Sequence, residues 1–192
     1  MDIHKDKFST GDVIKATGVT NATLQSWLKR GIIMGQKDAA IEGGGSPGLH
    51  RRYSFATVME IAVAKALIDS GVTDLGSAFY AAKLFAYSGG DAFSEQPENP
   101  EQPVQPERFP ALPHSKEGAK NGRSLLCVSG KRAYATFWKP GDDPFFDILA
   151  GLDEPLGFVM LLVDELFDRV VGVLGYHPQA ILDAAYPEKP SE

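Results

Sequence analysis

The tightest constraint on this chain is a three-residue junction, Gly18-Val19-Thr20, between two amphipathic segments that each carry their own start signal. Upstream, Ser9-Thr10-Gly11-Asp12 offers a hydroxyl cap and an acid in the first turn, where the carboxylate opposes the helix dipole, and Gly18 ends the segment. Downstream, Thr20 caps a second helix over Asn21 to Arg30, closed by Gly31. Two helices this close, joined through a glycine, form a helix-turn-helix. In the second helix Leu24, Trp27 and Leu28 recur at i, i+3 and i+4 and must face a core. The opposite face then presents Asn21, Thr23, Gln25, Ser26, Lys29 and Arg30, side chains that reach base edges or phosphates when such a helix lies in a major groove.

Past Gly31, Ile32-Ile33-Met34 reads as a strand. A polar run from Gly35 to Gly48, holding Lys37 and Gly43-Gly44-Gly45, turns back into Leu49-His50-Arg51-Arg52-Tyr53. This is the pattern of a wing: a hairpin with a long tip that lacks an apolar anchor, and with Arg51 and Arg52 at its base as phosphate contacts. Ser54 caps a third helix, Phe55 to Ser70, ended by Gly71. Thr73 or Asp74 caps a fourth, Leu75 to about Tyr87, and the two helices close the core of the head.

Taken together, Phe8-Ser9-Thr10-Gly11-Asp12-Val13, Thr17-Gly18-Val19-Thr20, Thr23-Leu24, Trp27, Gly31-Ile32-Ile33 and Arg51-Arg52-Tyr53-Ser54 resemble the N-terminal domain of MerR-type transcriptional regulators, over residues 8 to 72. The resemblance implies a winged helix-turn-helix whose second helix enters the major groove and whose wing touches the DNA backbone. It carries those roles to Thr23, Gln25, Arg51, Arg52 and Tyr53. With the residues read from the helix and the hairpin, the expected contact set is Thr20, Asn21, Thr23, Gln25, Ser26, Lys29, Arg30, Lys37, His50, Arg51, Arg52 and Tyr53. The chain departs from the family pattern in a longer wing, and also after the fourth helix, where such proteins continue into a long antiparallel dimerisation helix.

That continuation is excluded by proline. Pro97, Pro100, Pro103 and Pro106 recur every third residue and Pro110 and Pro113 follow, among Glu95, Glu98, Glu101 and Glu107, so residues 89–122 read as an extended acidic spacer. Beyond it, Arg123 to Ser129 and Arg132 to Trp138 alternate as two strands of a hairpin around Gly130-Lys131, a pair suited to a type II′ turn. Asp143 caps a short helix from Pro144 to Ala150. The apolar run Gly157 to Val163 is favoured as a strand, although periodicity alone does not separate it from a buried helix; a helix from Asp164 through Leu174 and a last one over Pro178 to Ala185 complete the chain. The expected organisation is mainly α with small β: a winged helix-turn-helix over 1–88, a Pro-rich linker over 89–122, and a small α+β domain over 123–192 for oligomerisation or sensing.

Charge and motif content narrow the function further. The formal net charge is −6, yet residues 1–88 hold a slight excess of Lys and Arg and the acids concentrate after them, a distribution that suits a DNA-binding head on an acidic body. Cys127, the lone cysteine, lies in a strand pattern and reads as a buried thiol. Walker-type, nucleophile-elbow and His-Glu-x-x-His motifs are missing, and His4, His50, His114 and His177 lack metal-ligand spacing. The pairs Asp142-Asp143 and Asp153-Glu154 suit turns and caps. These features describe a non-enzymatic protein without cofactor or metal. With a polar N-terminus and no membrane-length apolar run, it is expected in the cytoplasm, at the nucleoid. The expected partners are double-stranded DNA, a second copy in a homodimer, and RNA polymerase or another protein through the C-terminal domain. The function expected is sequence-specific transcription regulation. The alternatives are an excisionase-like factor that bends DNA, or a protein-docking module with a head that no longer binds DNA.

Overall fold

The computed structural model describes residues 2–36, 41–43, 50–89, 108–114 and 122–187. Lys37 and the glycine-rich hairpin tip lie outside them. The first element is a short strand, β1 (Lys7–Ser9), which sequence reading does not anticipate. Ser9 then caps α1 (Thr10–Thr17) in a reciprocal box: the Asp12 amide donates to Ser9 Oγ over 3.2 Å and the Ser9 amide donates to Asp12 Oδ2 over 2.9 Å. Gly18 ends the helix at φ +70, a left-handed conformation that L side chains adopt only with strain. Two residues on, Thr20 Oγ1 accepts from the Thr23 amide and α2 (Asn21–Arg30) begins. The expected turn and both helix boundaries are therefore present, and Val13, Ala16, Val19, Leu24, Trp27 and Leu28 are buried as the spacing requires.

After α2 the expected strand at Ile32 to Met34 does not form. Ile33 is fully buried and Met34–Gln36 winds into a 3₁₀ turn. The reason is a carboxylate remote in sequence: buried Glu60 accepts from the amides of Met34 (2.6 Å) and Gly35 (3.2 Å) and from the Tyr87 hydroxyl (2.9 Å). Burial raises the Glu60 pKa, and the three donors oppose that shift. Gly35 is required here, because a Cβ would lie 2.1 Å from Thr57 Oγ1. The hairpin strand instead comes later, as β2 (Ile41–Glu42). It pairs antiparallel with β3 (Arg52–Ser54), which also pairs with β1 to give the sheet order β1-β3-β2.

Ser54 caps α3 (Phe55–Asp69) and Asp74 caps α4 (Leu75–Tyr87). Ten of the residues of α3 are buried, from Phe55 to Leu67, so this helix is the axis around which the rest packs. The carboxy-terminal half forms a second sheet, order β5-β4-β6, from β4 (Arg123–Ser129), β5 (Arg132–Trp138) and β6 (Val159–Leu162), all antiparallel. Gly130 has φ +54 in the β4–β5 turn, in keeping with a II′ geometry. The short helix α5 (Phe145–Gly151) covers one face of this sheet through Ile148 and Leu152 against Leu125, Cys127, Tyr134 and Trp138. On the other face Leu126, Val128 and Ala135 join α6 (Val163–Val173), followed by α7 (Pro178–Ala185).

One hydrophobic core runs through both halves. Leu126, Val128, Phe167, Val170 and Val171 belong to the same buried cluster as Val13, Leu24 and Val58. The Phe55 and Phe167 rings meet edge to face at 6.3 Å, Phe8 meets Tyr176, and the Tyr176 hydroxyl donates to Asp6. Residues 108–114, which composition assigns to the extended spacer, are instead packed down. Arg108 is 1% exposed, its guanidinium donating to the carbonyls of Phe85, Ser88, Phe109 and Leu112 and lying 4.8 Å from the Phe85 ring centroid. Tyr186 fastens the same segment, accepting from the Phe109 amide (2.8 Å) and donating to the Pro113 carbonyl (2.7 Å). Among the described residues, no helix is long and apolar enough to cross a membrane.

Candidate nucleic-acid interface

The candidate surface is the outer face of α2 with the base of the β2–β3 hairpin beside it. Burying Leu24, Trp27 and Leu28, with the Trp27 ring edge-on to Phe79 at 5.0 Å, fixes the rotation of α2. That rotation turns Asn21, Gln25, Ser26, Lys29 and Arg30 outward, all exposed, with Thr20 exposed at the cap and Thr23 half-buried. Thr20 and Thr23 share a hydroxyl–hydroxyl hydrogen bond of 2.9 Å, so their oxygens already serve the helix start. Lys29 and Arg30 fall in the last turn, where their charge also complements the carboxyl end of the helix dipole.

The hairpin supplies exposed His50 and Arg52 and half-buried Arg51. Arg51 reaches across to the helix: its guanidinium Nη1 donates to Gln25 Oε1 over 3.0 Å, and Gln25 Nε2 faces Asn21 Oδ1 at 3.4 Å. Hairpin and helix are thus tied side chain to side chain, a link between residues 26 positions apart that no local pattern reveals.

Tyr53 has to be withdrawn from the expected contact set. It is fully buried, and burial raises the pKa of its phenol. The cause is strand alternation: within β3 Arg52 faces out, so Tyr53 faces the core, where it opposes Phe8 of β1 and Ile41 of β2. The period-2 rule applied to Arg52-Tyr53-Ser54 is the signal that separates the two residues. Glu60 is the residue that sequence reading misses; an acid inside the apolar run Val58-Met59-Glu60-Ile61 is its trace. Its role is positioning, since it holds the turn by which the chain leaves α2.

Among the described residues, no group of three or more His, Cys, Asp or Glu side chains is arranged to hold a metal. Cys127 is fully buried and its thiol pKa is pushed up to about 12 by desolvation, as an inert core thiol requires. His114 is 5% exposed, and burial together with the nearby Arg108 charge lowers its pKa to about 4, so it is neutral near pH 7.

Two capped helices across a three-residue turn, the second with an exposed polar face beside a small antiparallel sheet, define a helix-turn-helix domain. Residues 8–73 match the family model of the MerR HTH family regulatory proteins, and this segment is a MerR-type domain. The match covers about a third of the chain and ends between α3 and α4. No curated protein is significantly similar to the chain.

Proposed function

We propose that this protein is a sequence-specific, double-stranded-DNA-binding transcription regulator of the cytoplasm, with residues 1–88 as a winged helix-turn-helix head. The observation that carries the reading is a MerR-type domain whose second helix keeps its polar face exposed next to Arg51 and Arg52. In this reading α2 enters the major groove and the β2–β3 hairpin is the wing. Asn21 and Gln25 are the base-reading side chains, because a carboxamide matches the donor and acceptor of adenine N6 and N7. Lys29, Arg30, Arg51 and Arg52, with His50 beside them and with Lys37 from outside the described residues, meet phosphates and set register.

The Arg51–Gln25 bond gives the binding step a definite form. Gln25 Oε1 is the acceptor that an adenine amino group needs, and Arg51 occupies it in the free protein. When DNA arrives, Arg51 moves to a phosphate and releases Gln25 to the base edge. Residues 123–192 serve as an acidic body that brings two copies together, so that two heads address two half-sites.

The test uses the full chain, because the body shares its core with the head. Fluorescence anisotropy against a random-sequence duplex pool is measured at two salt concentrations, and the bound fraction is selected and sequenced. Salt-sensitive binding and an enriched motif are expected. The double variant Arg51→Ala, Arg52→Ala should weaken binding across all sequences and lower the salt slope by about one per lost phosphate contact. No binding at low salt would refute the proposal and turn the head into a protein-docking surface.

A further inference from the structure

We infer that two copies of this chain join through the free edge of β6, making one continuous six-stranded sheet across a two-fold axis at Leu161. The sheet order β5-β4-β6 leaves β6 at the border, paired only with β4. Among the described residues, the backbone hydrogen bonds outside helices and strands include none from Val159 to Leu162. Edge strands of monomers are commonly guarded by charge, proline or a bulge. Here residues 156–163, Leu-Gly-Phe-Val-Met-Leu-Leu-Val, contain none of these charges or prolines.

The side chains around this edge match the need for cover. Val159 and Leu161 pack into the core, whereas Met160 and Leu162 lie opposite Cys127 and Leu125 on the other face and are 50% and 43% exposed. On that face α5 covers β4 and β5 and leaves the β6 side open. The helix and loop that lead into β6 carry Phe145 (58% exposed), Phe146 (79%), Leu149 and Leu156, with the Phe145 ring 6.4 Å from Phe158. Taking about 200 Å² for a fully exposed large apolar side chain, these six residues expose on the order of 700 Å² per copy. A standard interface takes about 800 Å² from each partner.

A second copy is the occupant because the surface complements itself. An antiparallel strand meets its own copy through a two-fold axis, which is the commonest symmetry of soluble oligomers. Residues directly opposite in an antiparallel pair share a face, so the axis must pass through a residue and not between two. With the axis at Leu161, Met160 stands opposite Leu162 of the second copy and the reverse holds on the other side. The four half-exposed side chains then form one patch, flanked by both α5 helices. This dimer builds on the proposed DNA reading only in placing two heads on one assembly, and its surface is independent of that reading.

The experiment is light scattering with size exclusion on the full chain, together with amide hydrogen exchange of β6. A mass twice 20.7 kDa is expected, with all β6 amides protected. Met160→Lys with Leu162→Lys should give a monomer at concentrations where the unaltered chain is a dimer, and β6 amides on the outer edge should then exchange quickly. Far-ultraviolet circular dichroism and the melting temperature show whether the variant is folded; Phe146→Lys, at a position still more exposed, weakens the dimer without touching the strand. A monomer in the unaltered chain overturns the proposal. So does a dimer that survives these substitutions, or one in which the outer amides of β6 exchange freely. DNA binding by a monomer leaves the regulator reading intact and removes the interface, which separates the two claims.

Discussion

Acidification should destabilise this protein through one buried imidazole. His114 has a folded-state pKa of about 4 against an ordinary value of 6.5, and among the described residues neither ring nitrogen has a hydrogen-bond partner. A histidine whose pKa falls on folding binds its proton more readily in the unfolded chain, so stability is complete above pH 6.5 and declines as pH drops towards 4. The full difference amounts to about 3 kcal/mol at 1.36 kcal/mol per unit, and about 2 kcal/mol of it is already lost at pH 5. Urea unfolding at pH 7 and pH 5, for the unaltered chain and for His114→Phe, measures it. Glu60 and Asp164, with raised pKa values, and Asp12 and Asp74, with lowered ones, titrate in both proteins and cancel in the comparison. The phenyl ring keeps the contact with Phe137, whose ring lies 5.7 Å from that of His114, and removes two unpaired nitrogens. The variant should therefore equal or exceed the unaltered chain at pH 7 and be about 2 kcal/mol less sensitive to the change to pH 5. Equal pH sensitivity in the two proteins would refute the argument, because it would mean that His114 takes up its proton as easily folded as unfolded.

Other substitutions probe the remaining links. Glu60→Ala strips the acceptor from Met34, Gly35 and Tyr87 and should cost about 2–4 kcal/mol in chemical denaturation; a loss below 1 kcal/mol would mean the turn is held by other means. Gln25→Ala and Asn21→Ala should each change the selected DNA motif by about 1–3 kcal/mol of discrimination at a single base position, and unchanged motifs in both would remove them from base reading. Cys127 should resist a thiol reagent in the native protein and react fully in denaturant; rapid native labelling would show that β4 opens locally.

Much of the head is legible in its sequence because the deciding interactions are local. The cap signals at Ser9-Thr10, Thr20, Ser54 and Thr73-Asp74 and the glycine stops act within a turn of their own residue, and the helices start there, capped by Ser9, Thr20, Ser54 and Asp74. The β4–β5 hairpin and α7 follow from equally short patterns. The misread segments are those decided from a distance. Ile32-Ile33-Met34 has the composition of a strand, but Glu60 claims its amides from α3. The proline rhythm of residues 97–106, which lies outside the described residues, says nothing about Arg108, whose guanidinium finds carbonyls at the end of α4. On the interface, helical spacing gives the outward face of α2, whereas the burial of Tyr53 depends on the face that β3 turns towards β1.

The anchoring of Arg108 also bears on what the proline-rich stretch can be. Gly89 and Arg108 are neighbours in space: a Cβ built on Gly89 would meet the Arg108 carbonyl oxygen at 2.6 Å. With Gly89 and Arg108 side by side, the number of residues between them does not set the distance between the head and the second sheet. The spacing is set instead at the two flanks, by Gly89 lying against the Arg108 carbonyl and by the Arg108 guanidinium on the carbonyls of Phe85 and Ser88.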